Sequence, residues 1–344
     1  MDIPGPDIID QRKAVPTIQG IFLYLGIIIA LWVNYPEILT NHYGKVFAWA
    51  SAWLLLLACV DEYASLLMTK KRKLTHLVDV IPSRVKLLIQ SIIVGVAIGA
   101  TWMYQMELLW ADVLWQVPHR LWWAVAFVWF IVFINAINRF DGIPGQASWL
   151  SSIAFLTIIL LLQYIVLPYY DAISPENAKL LSLVTVLASL LCIWSLLYTV
   201  IEFKPRWLVR DAGTLLYGFS LAYISLLWWT KIGILLVVLS LPLFDAVWVF
   251  LHRLFVMKKN PMKGDYTHLH HRLLALNWQK SEARFFVRCR SIIMMILMLL
   301  QWVNRFNKIV IFIMMALLFF GINAYLFRYK KIPVTKIMGN KGSE

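Results

Sequence analysis

Apolar residues recur in long blocks, and the polar residues gather in the gaps between them. The blocks run at about 17–38, 46–68, 87–107, 121–138, 148–168, 179–200, 212–230, 232–252, 291–304 and 309–327. A helix needs about 17–25 residues to cross the hydrocarbon core of a bilayer, and a helix satisfies its own backbone polar groups there. The pattern predicts an all-α, polytopic integral membrane protein with about ten transmembrane helices. The block at 291–304 is short, and Arg288 and Arg290 would lengthen it by snorkelling.

Composition narrows the class. Of the 344 residues, 61% are hydrophobic and 15% charged, and the mean hydropathy is +0.73. Soluble domains are about 45–50% apolar and about 25% charged, so soluble, disordered and collagen-like chains are excluded. A single membrane-embedded domain over 1–344 is expected, with cytoplasmic loops at 61–86, 135–147, 201–214 and 253–290 and a tail at 328–344. Residues 1–16 contain Asp2, Asp7 and Asp10 and no apolar core, so no cleavable signal peptide is expected. Cys59, Cys192 and Cys289 form neither a CxxC metal pattern nor a disulfide framework.

The net charge of +14 has several readings: nucleic acid, acidic lipid, an anionic substrate, or the loop bias that orients membrane proteins. With the N-terminus inside and the spans alternating, the inside segments hold 26 of the 32 lysines and arginines. The outside loops hold Lys45, Arg120, Lys179, Lys231, Arg305 and Lys308. Both termini are therefore expected in the cytoplasm, and no nucleic-acid motif accompanies the charge. The inside loops are rich in Asp, Asn, His and Lys. That distribution suits a water-soluble cytoplasmic substrate meeting a lipid, whereas a transporter would place polar groups in mid-span.

Four constellations carry the candidate chemistry. Asp61-Glu62 closes a span, as a base or Mg²⁺ ligand near a headgroup or as a helix end reaching water. In INAINRFDGIPG, Asn135 and Asn138 share a helix face before Asp141-Gly142; they suit a nucleobase or sugar, or a helix end and a turn. In VRDAGTLLYGFSLA, Asp211 precedes Gly213 and Thr214, where open N–H groups suit an anion and the carboxylate suits Mg²⁺, or where the Asp is an N-cap. In NPMKGDYTHLHHRL, Asp265, His268, His270 and His271 stand beside Lys258, Lys259, Lys263 and Arg272. A diphosphate or sugar fits that set better than zinc, since no HExxH or Cys partner exists. Lys86 suits a phosphate or a snorkelling role equally, and Gln90 lies one turn on.

In order, a carboxylate pair after a span, NAxNxxDGxxG, DAGTxxxGFxLA and D-x-x-HLHH resemble the polyprenyl-phosphate N-acetylhexosamine-1-phosphate transferases. The bacterial undecaprenyl-phosphate N-acetylglucosamine-1-phosphate branch is the nearest, and the phospho-MurNAc-pentapeptide transferases are cousins. The resemblance covers about 6–290. It includes Pro6, Asp7, Arg12, Lys13, Pro16 and Gly20, which match the loop before the family's second helix. The family's first helix has no counterpart, which agrees with a chain that begins inside. HLHH after Asp265 resembles the N-acetylglucosamine branch, and the absence of long insertions suggests a bacterial inner membrane. The family's Asp-Asp is Asp61-Glu62 here, its second DGxDG acid is Pro144, the Gly before its third Asp is Arg210, and a nearby aromatic is Leu208.

The resemblance implies transfer of a HexNAc 1-phosphate, GlcNAc 1-phosphate first, from a UDP-sugar to undecaprenyl phosphate with release of UMP. Such a step opens cell-envelope polysaccharide synthesis, as in lipopolysaccharide or teichoic acid. It implies Mg²⁺, with Mn²⁺ as a substitute, and Asp211 as its ligand. Asp61, Glu62 and Asp211 would be catalytic. Lys86, Asn135, Asn138, Asp141, Asp265, His268, His270 and His271 would bind substrate. The partners would be polyprenyl phosphate, the UDP-sugar, membrane lipids and, as an option, a second copy in a homodimer. The alternatives are a pentapeptide-transferase-like enzyme, a catalytically impaired relative that binds lipid phosphate or nucleotide-sugar, and a lipid-carrier transporter.

Overall fold

A computed structural model describes residues 18–71, 81–101, 107–110, 113–116, 119–166, 175–202, 208–227, 232–258, 268–276, 278–300 and 305–329. The helices are α1 (Ile18–Asn34), α2 (Pro36–Thr40), α3 (His42–Lys71), α4 (Ser83–Ala100), α5 (His119–Phe140), α6 (Gln146–Leu161) and α7 (Pro175–Ile201). They continue with α8 (Arg210–Leu227), α9 (Ile232–Val238), α10 (Ser240–Leu251), α11 (Leu269–Ala275), α12 (Lys280–Leu300) and α13 (Arg305–Tyr329). Single π-helical turns extend α6 (Leu162–Val166) and α10 (His252–Val256). The helical class expected from the sequence holds. One small element departs from it, an antiparallel hairpin of β1 (Glu107–Trp110) and β2 (Val113–Gln116), with Glu107 opposite Gln116.

Each expected apolar block is overlain by helix, with two shifts. The block at 232–252 is split at Leu239 between α9 and α10, close to Pro242, which has no N–H to give to the ladder. The short block at 291–304 belongs to a helix that starts at Lys280, because the charged segment before it is helical too. Among the described residues, five helical stretches are long and apolar enough to cross a membrane: 42–65, 83–100, 120–140, 146–164 and 178–201. Large apolar side chains such as Trp53, Leu56 and Val60 of α3 and Leu88, Ile92 and Val96 of α4 lie on the outside. In water they would form an aggregation-prone patch; in a bilayer they meet lipid.

α8 is the hub. Every side chain from Ala212 to Leu227 is buried, as befits a helix apolar on all sides. α1, α3, α5, α6 and α7 pack around it. Phe47, Phe130, Phe219 and Tyr223 make a connected aromatic cluster on three of these helices, with Phe130 and Phe219 at 5.3 Å. Buried polar groups fasten it: Trp129 Nε1 donates to Ser225 Oγ at 2.9 Å and Tyr223 Oη to the Tyr43 carbonyl at 2.7 Å.

The tightest approach is between α8 and α5. A Cβ on Gly218 would fall 2.6 Å from Ile134 Cα and 2.8 Å from the Phe133 carbonyl oxygen. Backbone cannot yield as a side chain can, so only glycine allows this crossing. Gly218→Val should therefore force α5 and α8 apart and cost about 1–3 kcal/mol, seen as a lower unfolding midpoint in detergent. An unchanged midpoint would show that the helices have slack at this crossing.

Candidate active site

The expected site residues come together at one end of the bundle. Asp61, near the end of α3, is 4% exposed. Its Oδ2 meets Lys86 Nζ of α4 at 2.5 Å and its Oδ1 accepts from the Ile81 N–H at 3.2 Å. One turn beyond Lys86, Gln90 Oε1 accepts from Asn135 Nδ2 of α5 at 3.1 Å. One turn further along α5, Asn138 Nδ2 donates to Asp211 Oδ1 at 3.1 Å and to Thr214 Oγ1 at 2.8 Å, both on α8. Asp61 in turn lies within electrostatic reach of Asp211. These bonds link α3 to α4, α4 to α5 and α5 to α8 in turn, and the spacing of Asn135 and Asn138 on one helical face is what lets one helix serve two neighbours.

Asp141 lies just past α5, half-buried. Burial and the carboxylates of Glu202, Asp211 and Glu62 push its pKa well above the ordinary aspartate range, and Arg210 pulls the other way. Glu202, at the end of α7, is 1% exposed. It accepts from Ser148 Oγ at 2.6 Å and from the Val209 N–H at 2.8 Å. Burial raises its pKa, while these bonds and one from the Gly145 N–H lower it. Glu202 therefore ties the turn before α6 to the turn before α8, and nothing in the sequence pattern singled it out.

Two backbone conformations shape these turns. Gly145 precedes α6 at φ +77, which glycine adopts without penalty. Arg210 opens α8 at φ +48, a left-handed conformation that is unusual for a residue with a Cβ. The strain sits at the position where the resembled family carries glycine.

The histidine segment closes the site. α11 begins at Leu269, and a Cβ on Gly142 would collide with His270 Nε2, so His270 lies against the turn that carries Asp141. Gly142 thus matters for closeness rather than for a left-handed φ. The His268 and His270 rings are parallel, 6.0 Å apart, and His271 lies 4.0 Å from His270. His268 Nδ1 meets Asp245 Oδ2 of α10 at 3.0 Å. Asp245 was not among the expected site residues, although an acid inside an apolar block is a recognisable signal. Asp265 lies outside the described residues.

Among the described residues, no group of three or more His, Cys, Asp or Glu side chains stands close enough to hold a metal alone. Asp211 instead offers a carboxylate with one oxygen held by Asn138, inside a cluster of negative charge. Mg²⁺ is commonly bound by one or two carboxylates, with phosphate oxygens and water filling the rest. The donor set fits an ion that arrives with a phosphate substrate.

Residues 47–229, just over half of the chain, match the family model described as glycosyl transferase family 4. The chain belongs to that family. Curated relatives include the probable undecaprenyl-phosphate N-acetylglucosaminyl 1-phosphate transferase of Bacillus subtilis (strain 168), 32% identical over 157 residues. That alignment covers 43% of this chain and 39% of the relative, so the chain is matched over well under half of the relative's length. The family 4 match contains Asp61, Lys86, Asn135, Asn138, Asp141 and Asp211; it ends before Asp245 and before His268, His270 and His271.

The strain at Arg210 has a measurable sign. Arg210→Gly should relieve about 1–2 kcal/mol of left-handed strain and give back about 0.5–1 kcal/mol in chain entropy. The net expectation is a rise in stability of about 1 kcal/mol or less. A higher unfolding midpoint in detergent would bear this out, and a lower one would show that the side chain contributes more than its backbone costs.

Proposed function

We propose that this chain transfers an N-acetylhexosamine 1-phosphate, GlcNAc 1-phosphate first, from a UDP-sugar to undecaprenyl phosphate and releases UMP. The observation that carries the reading is the polar chain Asp61–Lys86, Gln90–Asn135 and Asn138–Asp211–Thr214 at one end of an apolar bundle. Family membership and the activity for which the Bacillus relative is named support it. In the reaction an oxygen of the lipid phosphate attacks the β-phosphorus of the UDP-sugar. The bond from that phosphorus to the bridging oxygen breaks, and UMP leaves with the electron pair.

Both reactants are anions, so bringing them together is most of the work. Asp211 would hold Mg²⁺, whose charge screens that repulsion. Lys86 takes the lipid phosphate, and Asp61 with Glu62 orients the phosphate and accepts a proton where one remains. A phosphate's second pKa is about 6, so positioning is the larger part of that role. Asn135, Asn138 and Asp141 hold the nucleotide-sugar, and Asp265, His268, His270 and His271 contact its diphosphate or sugar. The prenyl chain enters between helices from the bilayer, with the site on the cytoplasmic face of a bacterial inner membrane and both termini inside.

The purified protein, given undecaprenyl phosphate, Mg²⁺ and radiolabelled UDP-GlcNAc, should form lipid-linked product, and a panel of other UDP-sugars then ranks the donors. Asp211→Asn should lower UMP release by at least about 100-fold. Full turnover by that variant would remove Asp211 from the mechanism. No product across the whole panel would leave a binding relative without transferase activity.

A further inference from the structure

Asp245 is a charged side chain in an apolar helix, 1% exposed, and all its acceptor capacity faces α11. Oδ1 accepts from the Leu269 N–H at 2.9 Å and from Arg272 Nη2 at 2.5 Å. Oδ2 meets His268 Nδ1 at 3.0 Å. Arg272, also 1% exposed, donates through Nη1 to Asn323 Oδ1 of α13, and its guanidinium lies 5.9 Å from the centre of the Phe319 ring. Asn323 Nδ2 donates to the Phe319 carbonyl at 2.6 Å. α10, α11 and α13 are thereby joined through one buried carboxylate and one buried guanidinium.

A buried carboxylate is costly unless its donors are well placed, and replacing such a network with apolar residues often does no harm to stability. Stability alone is therefore a weak reason for this one. Its geometry does something specific to the histidine. Beside the Arg272 guanidinium the Asp245 carboxylate is an acceptor, so the proton on the His268 ring must reside on Nδ1. Nε2 is then the nitrogen left for other partners. The same bonds hold the start of α11 in place, and α11 carries His270 against Gly142 in the Asp141 turn.

We propose that Asp245 is a positioning residue of the transferase: it fixes the Nδ1-protonated form and the orientation of His268, so that Nε2 accepts a hydrogen bond from a sugar hydroxyl of the substrate. The inference rests on the transferase reading and gives it a residue beyond the stretch that matches family 4. Asp245 acts through His268 and touches no reacting atom.

Three measurements test it. Asp245→Asn keeps the side chain's shape and one acceptor but loses the rule that Nδ1 donates. Its kcat should fall about 10–100-fold, with the KM for UDP-GlcNAc changed less than about twofold. In a His268→Ala background the same substitution should cost nothing more, because both act through one group. Unchanged kcat, or a loss that adds to that of His268→Ala, would overturn the proposal. The third measurement compares the unaltered protein with His268→Ala in liposomes, so it does not depend on Asp245→Asn folding. Its ¹⁵N-histidine spectrum should show a ring protonated at Nδ1 that is missing from the His268→Ala spectrum; a bare Nδ1 at that ring would refute the assignment. If the unaltered protein turns over no UDP-sugar, the transferase reading fails, while the spectrum still decides what Asp245 does to His268.

Discussion

At Gly218 the backbones of α5 and α8 touch, and the site is a consequence of that touch. A helix held at ordinary separation by two side chains would leave Asn138 short of Asp211. Without a Cβ in the way, the amide reaches a carboxylate and a hydroxyl on the neighbouring helix at once. Both are polar groups in an apolar setting, where unsatisfied donors are expensive and satisfied ones are rigid. The same crossing brings α5's other amide, Asn135, to Gln90 and so draws in α4 and the Lys86–Asp61 pair.

Around that crossing the protein gathers more negative charge than it can comfortably hold. Glu62, Asp141, Glu202 and Asp211 share one neighbourhood, with Arg210 nearby as a cation. Such a cluster is unfavourable on its own and becomes favourable when cations complete it. Glu202 shows that not every acid there faces a ligand, since its oxygens hold Ser148 and two backbone turns in place. Strain at Arg210 belongs to the same region, and strained backbone persists where the surroundings over-determine it.

Much of this was legible in the chain before the structure. Apolar blocks marked every long helix, because a block of that length has one way to satisfy its backbone in lipid. Motifs separated by scores of residues, such as Asp61, Asn138 and Asp211, were grouped by their common position at block ends, and they do converge. What escaped were the contacts that depend on tertiary approach. Glu202 reads as an ordinary acid until its partner Val209 is seen in space, and Asp245, conspicuous as an acid inside an apolar block, shows its role only beside His268. Gly142 reads as a turn glycine, whereas its neighbour across the fold, His270, is the reason a side chain is excluded. The split at Leu239 was hidden inside a block whose average character is apolar, and the hairpin at 107–116 falls almost wholly in the gap between two blocks, where no regular element was expected.

The bond from Arg272 to Asn323 has a bearing on biosynthesis. Asn323 lies on α13, the helix furthest along the described chain, whereas Asp61 lies on α3. A chain emerging from the ribosome exposes the Asp245–Arg272 pair well before α13 is made. Until then the guanidinium lacks its amide acceptor and the Phe319 ring beneath it. Maturation of the histidine segment is therefore a late event, completed only when α13 docks onto α9 and α10.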